Sequence, residues 1–160
     1  MKIRAAYRED FTEIWRIFKA VIAKGDTYVN DSKTSKQNAY NKWMARDAKT
    51  FIAEINQKIV GAYLIRPNQV DLGSHIANAS YIVDENYRGA GIGKALALHS
   101  IEKAKEFGYH AMQFNFVVST NLTAVKLWQS VGFKIIGTIP KAFNHKTLAY
   151  VDAYIMFLEL

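Results

Sequence analysis

The apolar positions of this chain change spacing along its length, and the changes mark out its elements. From Asp10, the residues Phe11, Ile14, Trp15, Phe18 and Ile22 recur at the spacing of one helix face. Asp10 and Glu13 have the residue types for a capping box at its start, and Gly25 supplies a stop. A short strand near Ile3 to Ala5 precedes this helix. The turn-rich stretch Gly25 to Ser32 ends in Asp31 and Ser32, side chains suited to capping a second helix that runs toward Trp43. Two strands follow, Phe51 to Ile55 and Ile59 to Ile65, joined by Asn56-Gln57-Lys58, a connection of hairpin length.

Beyond a loop containing Gly73, His75 to Val83 is apolar enough for a buried strand, and it delivers the chain to a glycine-rich turn. Ile92 to Phe107 favours helix, with Leu98, Ile101 and Ala104 apolar and Gly108 as its stop. Ala111 to Val118 reads as another strand. Asn121 can cap a helix in which Ala124, Leu127, Trp128 and Val131 fall at i, i+3, i+4 and i+7, with Gly132 ending it. Strands near Phe133 to Ile139 and Leu148 to Leu158 complete the chain. This order predicts an α/β domain with a mixed central sheet and helices on both faces, and a crossover between the fourth and fifth strands.

Composition narrows what such a domain does. With 160 residues, half of them apolar, and no repeat or low-complexity segment, the expectation is a single domain over residues 1–160. There is no cysteine, which excludes disulfides, thiolate metal sites and a cysteinyl intermediate. The net charge of +7 would suit a polyanion, but the 21 Lys and Arg are scattered, with no block of five or more, and nucleic acid is not the expected partner. No eighteen apolar residues run together, so a soluble, cytoplasmic protein with no membrane association is expected. His75, His99, His110 and His145 show no metal-ligand spacing, and no metal is expected.

The segment Arg88-Gly89-Ala90-Gly91-Ile92-Gly93-Lys94 places three glycines at alternate positions just before a helix. Small residues let backbone approach a ligand, and the unpaired N–H groups of a helix N-terminus favour phosphate. Lys94 stands where both the nucleotide P-loop and the dinucleotide fingerprint require glycine, so neither motif fits.

Val83-Asp-Glu-Asn-Tyr-Arg-Gly-Ala-Gly-Ile-Gly-Lys-Ala-Leu96 resembles the acetyl-CoA motif of the GCN5-related N-acetyltransferase (GNAT) superfamily, Arg/Gln-x-x-Gly-x-Gly/Ala. A second GNAT motif, Asn-x-x-Ala-x-x-Leu-Tyr-x-x-x-Gly-Phe, is matched by Asn121, Ala124, Leu127, Trp128, Gly132 and Phe133 with one substitution. The resemblance covers nearly the whole chain. It implies that backbone groups of Tyr81, Ile82 and Val83 bind the pantetheine arm of acetyl-CoA. Arg88, Gly89, Ala90, Gly91, Ile92, Gly93 and Lys94 would hold the pyrophosphate, and Asn121 would contact the same co-substrate. Many family members have a tyrosine that protonates the departing thiolate where this chain has Trp128, whose indole has no titratable proton at neutral pH. Segments 25–28, 114–118 and 133–153 are similar to a GNAT subgroup that includes a yeast azetidine-2-carboxylate N-acetyltransferase, which favours an amino or imino acid as acceptor.

The implied function is acetyl transfer from acetyl-CoA to an amine of a small molecule by direct attack, an acyltransferase reaction without an acyl-enzyme. An acyl-CoA-binding module without turnover and a protein or peptide N-acetyltransferase are the alternatives. Asn115, an amide in an apolar strand, and Tyr150 are candidates for the chemistry; Asn115 is also a candidate, with Asp26, Tyr28 and Asn78, for holding the acceptor. Asp26 could pair with a cationic amine, Tyr150 could supply the acid that Trp128 cannot, and Asn78 and His75 could relay a proton. Each also has a plain structural reading, as turn, packing or strand-edge residue. The oligomeric state, a homodimer included, stays open.

Overall fold

A computed structural model describes residues 1–160. Its seven strands are β1 (Lys2–Ala5), β2 (Lys49–Ile55), β3 (Lys58–Pro67), β4 (Ile76–Val83), β5 (Ala111–Val118), β6 (Lys134–His145) and β7 (Ala149–Glu159). They form one sheet in the order β1-β2-β3-β4-β5-β7-β6. Helices α1 (Phe11–Lys24) and α2 (Lys36–Trp43) cover one face; α3 (Ile92–Glu106) and α4 (Leu122–Ser130) cover the other. Every neighbouring pair is antiparallel except β4 and β5, which α3 joins as a crossover. The α/β domain with a mixed sheet and helices on both faces is therefore the architecture observed.

Local chemistry explains most of the boundaries. The β2–β3 turn is two residues, Asn56 and Gln57, both left-handed at φ 49° and 64°, as a tight hairpin requires; Lys58 already belongs to β3. Gly25 ends α1 in the left-handed conformation. Asn121 caps α4, its side chain accepting the Ala124 N–H. At Gly61 a Cβ would stand 3.0 Å from the Ile82 carbonyl oxygen and 3.1 and 3.2 Å from methyls of Leu96 and Ile92. The absent side chain lets α3 lie directly on β3.

Four local expectations need correction. Asp10 and Glu13 do not form a capping box: Asp10 accepts the Tyr7 N–H at 2.7 Å and both terminal nitrogens of Arg4, while Glu13 pairs with Arg16 at 2.8 Å. A bidentate guanidinium partner is the stronger attraction. Ser35, not Asp31 or Ser32, caps α2 by accepting the Asn38 N–H, and Asp31 instead closes a turn with Lys33. Leu98 faces solvent, because α3 presents its small residues Ala97, Ser100 and Ala104, with Ile92 and Leu96, to the sheet. β6 does not end near Ile139 but runs on to His145, and the turn follows at Lys146.

Asp10 is held below the usual carboxylate range by Arg4, against the opposing effect of burial. Burial would raise Asp84, but the Asn86 N–H and Arg16, 2.8 Å away, bring its net shift downward. A carboxylate with a depressed folded pKa lends stability above its unfolded value of about 3.9 and loses it as pH falls through the folded value. Thermal unfolding followed from pH 7 to pH 2 is expected to show a flat midpoint down to about pH 5 and a fall below about pH 4. In Asp10→Asn that acid fall is expected to be shallower.

Candidate active site

The sheet opens at its centre. β4 and β5 pair only where Ile76 and Ala77 meet Ala111 and Met112, and beyond that point the strands diverge. The first step of the gap is bridged by Asn78, whose Nδ2 donates to the Gln113 carbonyl at 2.9 Å in place of a ladder hydrogen bond. Further along, β5 departs from register with β7 between Phe114 and Val117. Aromatic packing fills the α4 side of the opening: Trp128 lies with ring centroids 4.7 Å from both Tyr81 and Phe114, and Phe114 stacks on Phe133 at 4.2 Å.

The register of β3 on β4 decides which backbone groups face the opening. Asp84 donates its N–H to Val60 and Ile76 accepts from Asn68, so even-numbered residues of β4 bond to β3. The N–H and C=O groups of Ala79, Tyr81 and Val83 therefore point into the gap. Ile82 does not: its backbone is on the β3 side and its side chain is buried between the sheet and α1. Of Tyr81, Ile82 and Val83, the two whose backbone faces the gap are Tyr81 and Val83, and Ala79 joins them.

The opening is a cleft of about 310 Å³, at the small end of small-molecule sites, which run from about 300 to 1,000 Å³. It passes through the sheet. On one side its wall is Asn121, Ala124 and Trp128 of the α4 segment; on the other it is Thr27, Tyr28 and Val29 with Lys42 of α2. The α1–α2 loop is held over it by a hydrogen bond from the Tyr28 hydroxyl to the Tyr81 carbonyl, 2.7 Å. Burial pushes the Tyr28 phenol well above its ordinary pKa. Thr27 Oγ1 donates to Asp26 at 2.9 Å and accepts from Asn121 Nδ2 at 3.4 Å. The turn after β6 docks there too, Lys146 donating its N–H to the Gly25 carbonyl.

The glycine turn lies at the N-terminus of α3. Gly89 and Gly91 adopt φ of 80° and 76°, and a Cβ on either would meet nothing within 4 Å. Conformation, not packing, requires glycine there, and the turn stands open to an approaching ligand. Unlike α2 and α4, α3 has no side-chain cap; Gly91 holds the capping position. Its first-turn N–H groups and the positive end of its dipole are left for an anion. A phosphate-bearing thioester fits these residues, with open α3 amides at one end of the molecule and the free edge of β4 beside a cleft at the other.

The remaining predicted residues divide. Tyr28, Asn78, Asn115, Tyr81 and Asn121 line the cleft. Asn115 is not a buried amide: it is exposed, its Nδ2 donating to Asn68 at 2.6 Å and its Oδ1 accepting from Gln113. Asp26 lies one residue outside, oriented toward Thr27. Tyr150 is 67% exposed at the outer end of β7, opposite Asn144, and is not brought to the cleft. His75 sits where β4 and β5 are still paired, its carbonyl accepting the His110 N–H, and it too is away from the opening. Lys42 was not foreseen from the sequence. In a short helix of low amphipathicity nothing distinguishes it from the solvated lysines around it.

The acetyltransferase (GNAT) family model matches residues 4–133, and the chain belongs to that family. Among curated relatives, N-acetyltransferase aca1 of Schizosaccharomyces pombe is 35% identical over 112 residues, covering 69% of this chain and 54% of that protein. The chain thus spans about half the length of that relative. L-amino acid N-acetyltransferase AaaT of Escherichia coli is 28% identical over 96% of this chain and 94% of its own. A solved GCN5-related N-acetyltransferase from Kribbella flavida superposes with a TM-score of 0.95 at 37% identity, covering 99% of this chain and 97% of that one.

Proposed function

We propose that this protein transfers the acetyl group of acetyl-CoA to the amine of a small molecule, with amino and imino acids as the leading acceptors. The observation that carries this is the loop-covered cleft through the sheet, walled by β4, together with the uncapped N-terminus of α3, the helix that follows β4 in the chain. The names of full-length relatives such as AaaT point to the same acceptor class.

In the proposed reaction the amine nitrogen, after losing a proton, bonds to the thioester carbonyl carbon, and the carbon–sulfur bond breaks. The ammonium gives one proton to solvent before attack, and the nitrogen loses a second as the amide forms; the thiolate takes up one, so one net proton is released and no dedicated acid is required. That matters here, because neither tyrosine of the cleft has a free hydroxyl: Tyr81 bonds Ser100 at 2.7 Å and Tyr28 bonds the Tyr81 carbonyl. In this reading the N–H of Tyr81, which faces the gap, polarises the carbonyl oxygen, and holding both reactants in one small chamber supplies much of the acceleration.

The test is free-thiol release from acetyl-CoA with a panel of amino acids, imino acids and polyamines. Acceptor-dependent release with mass-spectrometric detection of the N-acetyl product is expected. Acetyl-CoA binding without release for any acceptor would replace this reading with a non-catalytic binding module.

A further inference from the structure

The cleft is electrostatically one-sided. Lys42 is the only charged residue that lines it, and no aspartate or glutamate does. Its ammonium lies 4.7 Å from the Tyr28 ring centroid and 5.5 Å from that of Phe18, contacts that hold the cation in place. Its one hydrogen-bond partner is a neutral oxygen, Asn30 Oδ1, at 3.4 Å. No carboxylate pairs with it or with Arg66, which β3 sets on the same face of the sheet, opposite Asn78.

A partly buried cation on the cleft wall, with a second on the same face of the sheet and no anion paired to either, destabilises the empty site, and an anionic ligand removes that cost. Burial, and then the charge of Arg66, bring the Lys42 pKa down to about 8. A bound carboxylate would restore it. A cationic acceptor would meet the opposite field, with nothing in the cleft to neutralise it.

We propose that Lys42, supported by Arg66, is the subsite that reads the carboxylate of the acceptor. This rests on the acetyltransferase reading and sharpens it: the acceptors are amino or imino acids, and polyamines and other polycationic amines are turned away. The carboxylate end lies on the α2 side of the sheet, so the amine of a small acceptor faces inward, toward Tyr81 and the opening.

The test compares each amino or imino acid with its own carboxamide, in the wild type, Lys42→Met and Lys42→Arg. Losing a charge-assisted hydrogen bond costs about 1.5–3 kcal/mol, or at least about tenfold. In Lys42→Met the acid-to-amide ratio of kcat/KM is expected to fall about tenfold or more, and Lys42→Arg should keep part of it. Comparing this ratio between proteins cancels the lower basicity of the amide's amine and any general loss of folded enzyme. A ratio unchanged in Lys42→Met would overturn the proposal. If no amine is acetylated at all, the transferase reading fails by itself. Calorimetric binding of the same acid and amide to the CoA-saturated protein then decides the subsite: a preference for the acid that Lys42→Met removes sustains it, and equal affinities overturn it.

Discussion

Gly91→Asp is expected to weaken acetyl-CoA binding about 100-fold, while Gly91→Asn weakens it by tenfold or less. The two side chains have the same shape, and neither meets protein atoms, since a Cβ at this position has open space around it. Both must adopt the left-handed φ of 76°, which asparagine and aspartate tolerate better than other residues. Their backbone costs therefore nearly cancel, and the difference between them is charge. A carboxylate about 5 Å from one phosphate charge costs about 3 kcal/mol at an effective dielectric near 20, which is about 100-fold. Stability should run the other way, because an aspartate at a helix N-terminus gains about 0.3–1 kcal/mol from the dipole. Calorimetric Kd values at one fixed salt concentration, with melting temperatures beside them, check both signs. Equal Kd values for the two variants would place the pyrophosphate somewhere else.

The second large effect is expected at Gly61, which does not line the cleft but packs behind the first turn of α3. A methyl there would stand 3.0 Å from a backbone oxygen of Ile82, which cannot yield without moving β4. Overpacking of this kind costs about 1–3 kcal/mol, so Gly61→Ala should melt roughly 3–10 °C lower. The same displacement moves the N-terminal turn of α3, where Ile92 packs on Gly61, and acetyl-CoA affinity should fall along with stability. Melting curves with and without saturating CoA separate the two losses: a smaller CoA-induced shift than in wild type shows that the site, as well as the fold, has moved. A variant with the wild-type melting temperature would mean that α3 and β3 have slack which the distances do not show.

Much of this molecule is legible in its residues. The helical spacing of Phe11 to Ile22, the strand from Ala111 to Val118 and the stop at Gly108 are local properties, set by periodicity and by the φ that glycine alone adopts freely. The glycine turn at 89–93 is legible for the same reason: a bare α3 N-terminus needs only small residues and a helix after them. Asn121 could be read as a cap because the competition between side chain and backbone is settled within four residues.

What the sequence could not decide is how residues distant along the chain meet. The Asp10 carboxylate has two kinds of donor within reach, and the Arg4 guanidinium, delivered by β1, prevails over the backbone N–H of Glu13. Which of Tyr81, Ile82 and Val83 offers its backbone to the cleft depends on parity, and parity is fixed only when β3 takes its register against β4. Asn115 and Tyr150 looked alike as polar residues in apolar strands; the bend of β5 puts one on the cleft, and the length of the β6–β7 hairpin carries the other away. Lys42 shows the difference most plainly. A lysine on a short polar helix has no sequence signature, and only the packing of α2 over the opened sheet, with no carboxylate on the cleft wall, makes it the single charge in the cleft. Local spacing determined the elements and the anion-binding turn, because each is a matter of a few bonds. The cleft and its charge are sums over contacts between β3, β4, β5 and the α1–α2 segment, and those sums exist only in the folded chain.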